Sequence, residues 1–144
     1  MTSGVPRPGA SGIVGIGTDL VSIERLEGAL ARRPGLERRL FSDEELSLMG
    51  ATKSTSSRAA SLAARFATKE AVMKSLGIGL GGCGFVEIEV LGGRGSAPRA
   101  RLLGRASSRA ASLGVDEVAI TMTHDAGLAA ATAIAWRRCE CSPS

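Results

Sequence analysis

Aromatic side chains are scarce in this sequence: its 144 residues include three Phe, one Trp and no Tyr. Because single-stranded nucleic acids are held largely by stacking on aromatic rings, this scarcity argues against a nucleic-acid-binding protein. No run of 18 apolar residues occurs, so the sequence predicts no membrane-spanning helix. Ala, Val, Ile and Leu must fill the interior, and the chain is long enough for one domain with a real core.

Cysteine and histidine are also rare, with three Cys and one His. Three Cys do not make a disulfide scaffold, and Cys139 and Cys141 lack further Cys or His residues to complete a zinc site. We therefore expect free thiols in a reducing compartment, and a soluble cytoplasmic protein. The formal net charge of +4 favours an acidic partner or a phosphate-rich ligand.

The two ends of the chain differ in character from the rest. Residues 1–11 lack the apolar core of a signal peptide, and we expect a disordered leader there. Residues 12–136 are predicted to form the folded domain, and 137–144 a flexible polar tail.

Apolar spacing and capping residues predict an α+β domain with a small antiparallel sheet and a long central helix. Ser22 and Ser42 are predicted N-caps, the second with capping-box spacing to Glu45. Residues 126–136 are open between a helix, favoured by six Ala, and a strand, favoured by alternation. The other predicted elements are a buried strand at 13–16, a half-buried strand at 86–90, strands at 99–103 and 118–122, helices at 23–30, after 42, at 62–76 and at 104–114, and a loop at 53–61.

Three ionisable residues lie within a predicted apolar element or directly after one. Asp19 follows the first predicted strand, Glu70 lies within the long helix, and His124 follows the strand at 118–122. Each has a purely structural interpretation: Asp19 as a cap or turn residue, Glu70 as the partner of Lys74 in an exposed ion pair, and His124 as a hydrogen-bonded histidine. Asp19 and Glu70 are 51 positions apart, so only the fold can bring them together.

The glycine-rich stretch 77–84 invites a phosphate-loop interpretation. It follows a helix and lacks the terminal Lys-Ser/Thr pair, so we exclude a P-loop and place Gly77 just after the helix C-cap.

Four segments, GIGTDLVSIER (15–25), FSDEE (41–45), LAARFATKEAVMKSLG (62–77) and TMTHD (121–125), together resemble the holo-acyl-carrier-protein synthases. These are small 4′-phosphopantetheinyl transferases, and the resemblance covers nearly all of residues 13–136. It implies the α+β fold of that family, a strand for the Ala-rich last element, and a homotrimer with active sites at the subunit interfaces.

The implied reaction moves phosphopantetheine from coenzyme A to a serine of an acyl carrier protein and releases adenosine 3′,5′-bisphosphate. By similarity to the family, Asp19 and Glu70 are the expected ligands of Mg²⁺, a hard cation that uses one or two carboxylates beside substrate phosphates. Lys74 is expected to hold a phosphate oxygen and completes the catalytic set. Either Glu70 or a metal-held water accepts the serine proton; the sequence does not choose between them.

Further contacts are expected on both substrates. For coenzyme A they are Arg65, Lys74, Gly77, Gly79 and His124, with the loop at 79–84 allowing close backbone approach. For the acidic recognition helix of the carrier they are Arg25, by resemblance, and Arg32, by charge and position.

Residues 1–10, 51–60 and the tail after Trp136 depart from the family, and the composition of 51–60 leaves carrier preference open. One alternative function is a noncatalytic basic module that binds nucleotides or RNA. It leaves Asp19 and Glu70 without purpose, because carboxylates repel phosphate unless a cation intervenes. Another alternative is a degenerate homologue that binds coenzyme A without turnover, and the presence of Asp19, Glu70 and Lys74 argues against it.

Overall fold

The architecture is taken from a computed structural model that describes residues 12–50, 54–93 and 95–138. Within these residues, two antiparallel sheets and four shorter α-helices surround one long helix. In chain order the elements are β1 (Gly12–Ser22), α1 (Ile23–Arg32), α2 (Leu36–Leu40), α3 (Asp43–Met49), α4 (Thr55–Ser75), a 3₁₀ turn (Phe85–Glu87), β2 (Ile88–Leu91), β3 (Arg99–Leu102), α5 (Gly104–Leu113), β4 (Glu117–Asp125) and β5 (Leu128–Arg137).

The larger sheet has the strand order β1-β5-β4, with both pairings antiparallel. The Ala-rich last element is therefore its central strand, as the family resemblance implies. Its helix propensity is overridden because it pairs on both edges and because its alternate alanines, Ala129, Ala131, Ala133 and Ala135, are buried under α4 at 0–3% exposure.

Helix α4 lies very close to this sheet because β1 presents glycines to it. A Cβ atom added to Gly17 would stand 1.9 Å from the carbonyl oxygen of Ala71, and one added to Gly15 would stand 1.9 Å from that of Ser75. Only glycine permits this approach. Small residues on both surfaces thus set the distance between α4 and β1.

The core has two parts, which pack against different halves of α4. One part joins the C-terminal half of α4 to β2, α5 and the sheet, and includes Val72, Leu76 and Ile88. The other joins its N-terminal half to α1, α2 and α3, and includes Leu62 and Phe41. No helix within the described residues has both the length and the apolar character needed to cross a membrane.

Several predicted elements are confirmed. Ser22 caps α1 by accepting a hydrogen bond from the Arg25 amide, and Ser42 forms the capping box with Glu45. Strands β2 and β3 pair with each other, and α5 occupies 104–113. Gly77 follows the α4 C-cap with φ +63°, the left-handed conformation that favours glycine.

Other predictions are wrong at the boundaries. Helix α4 begins at Thr55, capped by Ser54, so residues 55–61 are helix instead of loop. Strand β1 continues to Ser22 and β4 to Asp125, so Asp19 and His124 lie within strands instead of following them. In each case polar residues predict the end of an element, and tertiary packing extends the element through them.

Two burial predictions are also wrong. The first strand is not buried, because Ile13 and Ile16 on its outer face are 46% and 61% exposed. Strand β2 is buried on both faces, Glu89 included, because Arg101 on β3 pairs with the Glu89 carboxylate at 2.8 Å. The predicted leader, Lys53 and the cysteines of the predicted tail lie outside the described residues, whereas Arg137 is the last residue of β5.

Candidate active site

A groove of about 830 Å³ runs between β1, α1 and one flank of α4. Phe66 and Glu70, one helical turn apart, form its α4 wall, and Lys74 continues the same row one turn further. The groove is lined by Asp19, Leu20, Val21, Ser22, Glu24, Arg25, Leu26, Ala29, Arg32, Phe66 and Glu70.

The fold brings Asp19, Glu70 and Lys74 together. The Lys74 Nζ donates to Asp19 Oδ1 at 3.0 Å and to the carbonyl oxygen of Thr18 at 2.9 Å. The predicted ion pair between Glu70 and Lys74 is wrong: among the described residues, the salt bridge of Lys74 is made to Asp19. A lysine on α4 reaches across to β1 because the glycines of β1 let the two backbones approach.

Glu70 has an elevated pKa. Burial raises the pKa of its carboxyl group, the negative charge of Asp19 raises it further, and the positive charge of Lys74 opposes both. Two carboxylates therefore face the same space, and one ammonium group does not neutralise both.

This acidic pair can hold a hard divalent cation. Magnesium typically uses one or two protein carboxylates and fills its remaining positions with water and substrate phosphates. Within residues 12–50, 54–93 and 95–138, no group of three or more Asp, Glu, His or Cys residues is placed to hold a metal. The two carboxylates thus fit a cation that a phosphorylated substrate helps to bind. They are too few for a structural metal site whose ligands all come from the protein.

Arg25 and Arg32 line the α1 side of the groove, and both are exposed. Their guanidinium groups give this rim of the groove a positive charge. The predicted position of these residues on an outward face of the first helix is confirmed.

Arg65 and His124 are not in this groove. Arg65 precedes Glu70 by five residues, which is about 140° around a helix, so it lies on the opposite flank of α4. There it is 6% exposed and donates to the carbonyl oxygen of Gly92 at 3.0 Å. His124 is exposed near the end of β4, and one strand, β5, separates it from Val21 on β1.

The loop that contains Gly77 and Gly79 is held by residues that sequence reasoning missed. Arg109 donates to the carbonyl oxygen of Leu76 at 3.0 Å, and Arg105 donates to that of Gly81 at 3.1 Å. The Glu87 carboxylate accepts from the amides of Gly84 and Arg105. No local pattern indicates these contacts, because α5 and the loop are joined only in the folded chain.

A buried ion pair that the sequence did not predict lies on the neighbouring face of α4. Lys69 Nζ lies 2.6 Å from Glu45 Oε1, and both side chains are fully buried. Lys69 also donates to the Phe85 carbonyl at 2.9 Å, and Glu45 accepts from the amides of Ser42 and Val90 at 3.1 Å each. One signal was available: Lys69 and Glu70 are adjacent on a helix, so they must point in directions about 100° apart.

Comparisons with known proteins show the family to which the chain belongs. Residues 15–133 match the family model of the 4′-phosphopantetheinyl transferase superfamily. The holo-[acyl-carrier-protein] synthase of Moorella thermoacetica is 44% identical over 118 residues, which are 82% of this chain and 90% of the relative. That of Streptomyces coelicolor is 44% identical over 123 residues, 85% of this chain and 97% of the relative.

Solved structures share the fold. The Helicobacter pylori holo-[acyl-carrier-protein] synthase in complex with coenzyme A is 29% identical, with a TM-score of 0.70 over 83% of this chain and 98% of the other. A Plasmodium yoelii acyl carrier protein synthase with ADP bound is 26% identical, with a TM-score of 0.81 over 90% and 99%. The chain therefore belongs to the 4′-phosphopantetheinyl transferase superfamily and, within it, to the holo-[acyl-carrier-protein] synthases, a family of transferases.

Proposed function

We propose that this enzyme transfers 4′-phosphopantetheine from coenzyme A to a serine hydroxyl of an apo acyl carrier protein and releases adenosine 3′,5′-bisphosphate, with Mg²⁺ required. The observation that carries the proposal is the convergence of Asp19 and Glu70 in one groove, with Lys74 bound to Asp19, from positions up to 55 residues apart. The names of the relatives, and the coenzyme A bound in one solved relative, support both substrates. We place the reaction in the cytoplasm, as the composition predicts.

The transfer is a substitution at phosphorus. The serine oxygen forms a bond to the phosphorus next to the pantetheine, and the bond from that phosphorus to the bridging oxygen breaks. The electron pair leaves with adenosine 3′,5′-bisphosphate, and the serine proton must go to a base. Asp19 and Glu70 would hold Mg²⁺, which would supply charge neutralisation at the pyrophosphate.

We assign a role in this reaction to four residues of the chain. Glu70 is the proton acceptor that the chain itself offers to the serine hydroxyl, and a water held by the metal is the alternative acceptor. Lys74 is 54% exposed and long enough to turn from Asp19 to a phosphate oxygen. Arg25 and Arg32, on the rim of the groove, are placed to attract the acidic carrier.

The positions of Arg65 and His124 support a site that is shared between copies of the chain. Arg65 and His124, the expected contacts for the nucleotide phosphates, lie on the flank of α4 away from the Asp19–Glu70 groove. The larger sheet also has an uncovered outer face, where Ile16 and Leu20 are 61% and 63% exposed. We propose that copies of the chain pack through this face into a homotrimer, and that Arg65 and His124 of one copy complete the groove of a neighbouring copy.

Subunit complementation tests the interfacial site. Glu70→Gln and His124→Ala proteins, each inactive alone, are mixed in equal amounts, dissociated in mild denaturant and reassociated. If each site draws Glu70 from one copy and His124 from another, about a quarter of the sites regain both residues, and activity returns in that proportion. If both residues serve a site within one copy, mixing restores no activity.

The reaction itself is tested by mass spectrometry. The protein is incubated with coenzyme A, Mg²⁺ and an apo carrier of the fatty-acid or polyketide type, and the carrier is examined for a phosphopantetheine adduct on serine. No adduct on any of several carriers, together with calorimetric binding of coenzyme A, would instead favour the noncatalytic alternative.

A further inference from the structure

Lys74 and a metal ion compete for the same carboxylate. Lys74 Nζ contacts Asp19 Oδ1 and the Thr18 carbonyl oxygen, and among the described residues it supplies the hydrogen bond to the Asp19 side chain. Asp19 is also one of the two proposed metal ligands. A mobile cation of the chain thus sits where a divalent cation would have to bind.

We propose that Lys74 is the counter-ion of Asp19 in the metal-free enzyme, that a divalent cation displaces it, and that this displacement makes Lys74 available to the substrate phosphates. The inference rests on the proposed function and extends it, because it couples metal binding to nucleotide binding through one side chain.

Burial favours this exchange. The Asp19 side chain is 18% exposed and fixed within β1, whereas the Lys74 side chain is 54% exposed at the last turn of α4. The carboxylate is therefore the fixed member of the pair and the ammonium the movable one. An ion pair with one half-exposed member is weak, so it shields Asp19 without closing the site to a stronger cation.

The charges in the groove determine whether metal binding and nucleotide binding strengthen or weaken each other. Asp19 and Glu70 together carry two negative charges, and Lys74 offsets one. A divalent cation gains more from the two carboxylates than Lys74 does, but it must displace the ammonium first. A phosphate ligand provides a new partner for that ammonium, so nucleotide and metal strengthen each other, equally in both directions.

The proposal predicts that removing this lysine increases the affinity of the protein for a divalent metal ion. Mn²⁺ affinity is measured by electron paramagnetic resonance of the free ion, in wild type, Lys74→Met and Arg58→Met. Arg58 is a matched control because it also carries one positive charge in an ion pair, with Glu37, but lies 16 residues away on α4. That is about 24 Å along the helix, beyond the screening length at physiological salt.

We expect Lys74→Met to bind Mn²⁺ about two- to fivefold more tightly than wild type, as the loss of a weak competing ion pair requires. Arg58→Met should not change the affinity. Adenosine 3′,5′-bisphosphate should tighten Mn²⁺ binding in wild type and do so less in Lys74→Met. Equal or weaker Mn²⁺ binding by Lys74→Met overturns the inference, provided that wild type binds Mn²⁺ and Asp19→Asn loses it. If wild type binds no Mn²⁺, the proposed metal site is wrong and the inference falls with it.

A second measurement separates direct contact from charge at a distance. The chain has three lysines, so the ¹⁵N-lysine spectrum contains few ammonium signals. The Lys74 Nζ signal should shift on addition of Mg²⁺ and should already be shifted in Asp19→Asn, whereas the buried Lys69 signal should stay in place. A Lys74 signal unmoved by saturating Mg²⁺ contradicts the displacement.

Discussion

Two acid–base clusters lie one residue apart on α4 and differ in almost every physical respect. Lys69 points into the protein, where its ammonium contacts Glu45 and the Phe85 carbonyl with no exposed surface. Glu70 points into the groove beside Asp19, and the lysine on that side binds Asp19 instead. The first cluster has a partner for each charge, and the second has two carboxylates and one ammonium.

The pKa directions express the same difference. Burial lowers the pKa of Lys69, and Glu45 opposes this shift. Burial raises the pKa of Glu70, and Asp19 adds to the shift. The inner cluster is completed by the fold and holds α3, α4 and β2 together, whereas the groove cluster is left to be completed by a ligand. The comparison predicts that the inner cluster governs stability and the groove cluster governs turnover.

Removing the inner lysine should give the largest effect. Lys69→Met leaves the Glu45 carboxylate buried without its cation, which should lower the free energy of unfolding by about 3–5 kcal/mol. Urea denaturation followed by circular dichroism measures it. The double variant Lys69→Met/Glu45→Leu should recover part of the loss, since no orphaned charge remains. A loss below about 1 kcal/mol for Lys69→Met would show that the pair does not hold the fold.

Removing one carboxylate charge from the groove should lower the transfer rate without lowering the free energy of unfolding. Glu70→Gln should reduce the transfer rate about a hundredfold or more, the scale for losing a group that stabilises developing charge. Its free energy of unfolding should be unchanged or slightly higher, since the repulsion between Asp19 and Glu70 is removed. Glu37→Gln, which removes a carboxylate outside the groove, should transfer at the wild-type rate. Turnover retained by Glu70→Gln would refute the division of roles.

The spacing between α4 and β1 is the next target, because it brings Glu70 and Lys74 on α4 close to Asp19 on β1. In Gly17→Ala the new methyl group meets the Ala71 carbonyl, so we expect a loss of about 1–3 kcal/mol in unfolding free energy. The transfer rate should fall as well, since Glu70 moves away from Asp19. Gly28→Ala, within α1, should instead stabilise the protein by about 0.5–1 kcal/mol. Equal stability of Gly17→Ala and wild type would contradict the close approach.

The smallest effect concerns the loop at 77–84. Hydrogen bonds from the Gly84 and Arg105 amides lower the pKa of Glu87 from its ordinary value of 4.5. The ionised carboxylate therefore stabilises the fold above pH 4.5, and this contribution is lost as the pH falls through the lowered value in the folded state. Glu87→Gln should have a lower Tm than wild type at pH 7, and the difference should shrink in acid. A difference that persists or grows below pH 4.5 would be inconsistent with this assignment.

Local chemistry in the sequence was sufficient for the caps and the larger pattern of the fold. Ser22, Ser42 and Gly77 were predictable because a cap depends on a few neighbouring residues. The central strand β5 was not decided by its own residues; the family resemblance implied it, and pairing on both edges explains it. The ends of β1, β4 and α4 depended on tertiary contacts and were predicted too short.

The site was predictable in part. The roles of Asp19, Glu70 and Lys74 came from the resemblance, because no spacing rule joins positions 51 residues apart. The contact between Lys74 and Asp19, in place of Glu70, required the geometry, since helical spacing favours the local pair. Helical spacing alone places Arg65 on another flank of α4 than Glu70, whereas the position of His124 outside the groove required the fold.

The most direct test of the central claim is a crystal of this protein grown with Mn²⁺ and measured near the manganese absorption edge. The account predicts one anomalous peak in the groove, coordinated by an oxygen of Asp19 and an oxygen of Glu70, with Lys74 moved off the Asp19 carboxylate. A peak elsewhere, or a groove in which Lys74 keeps its contact with Asp19 at saturating Mn²⁺, would contradict it.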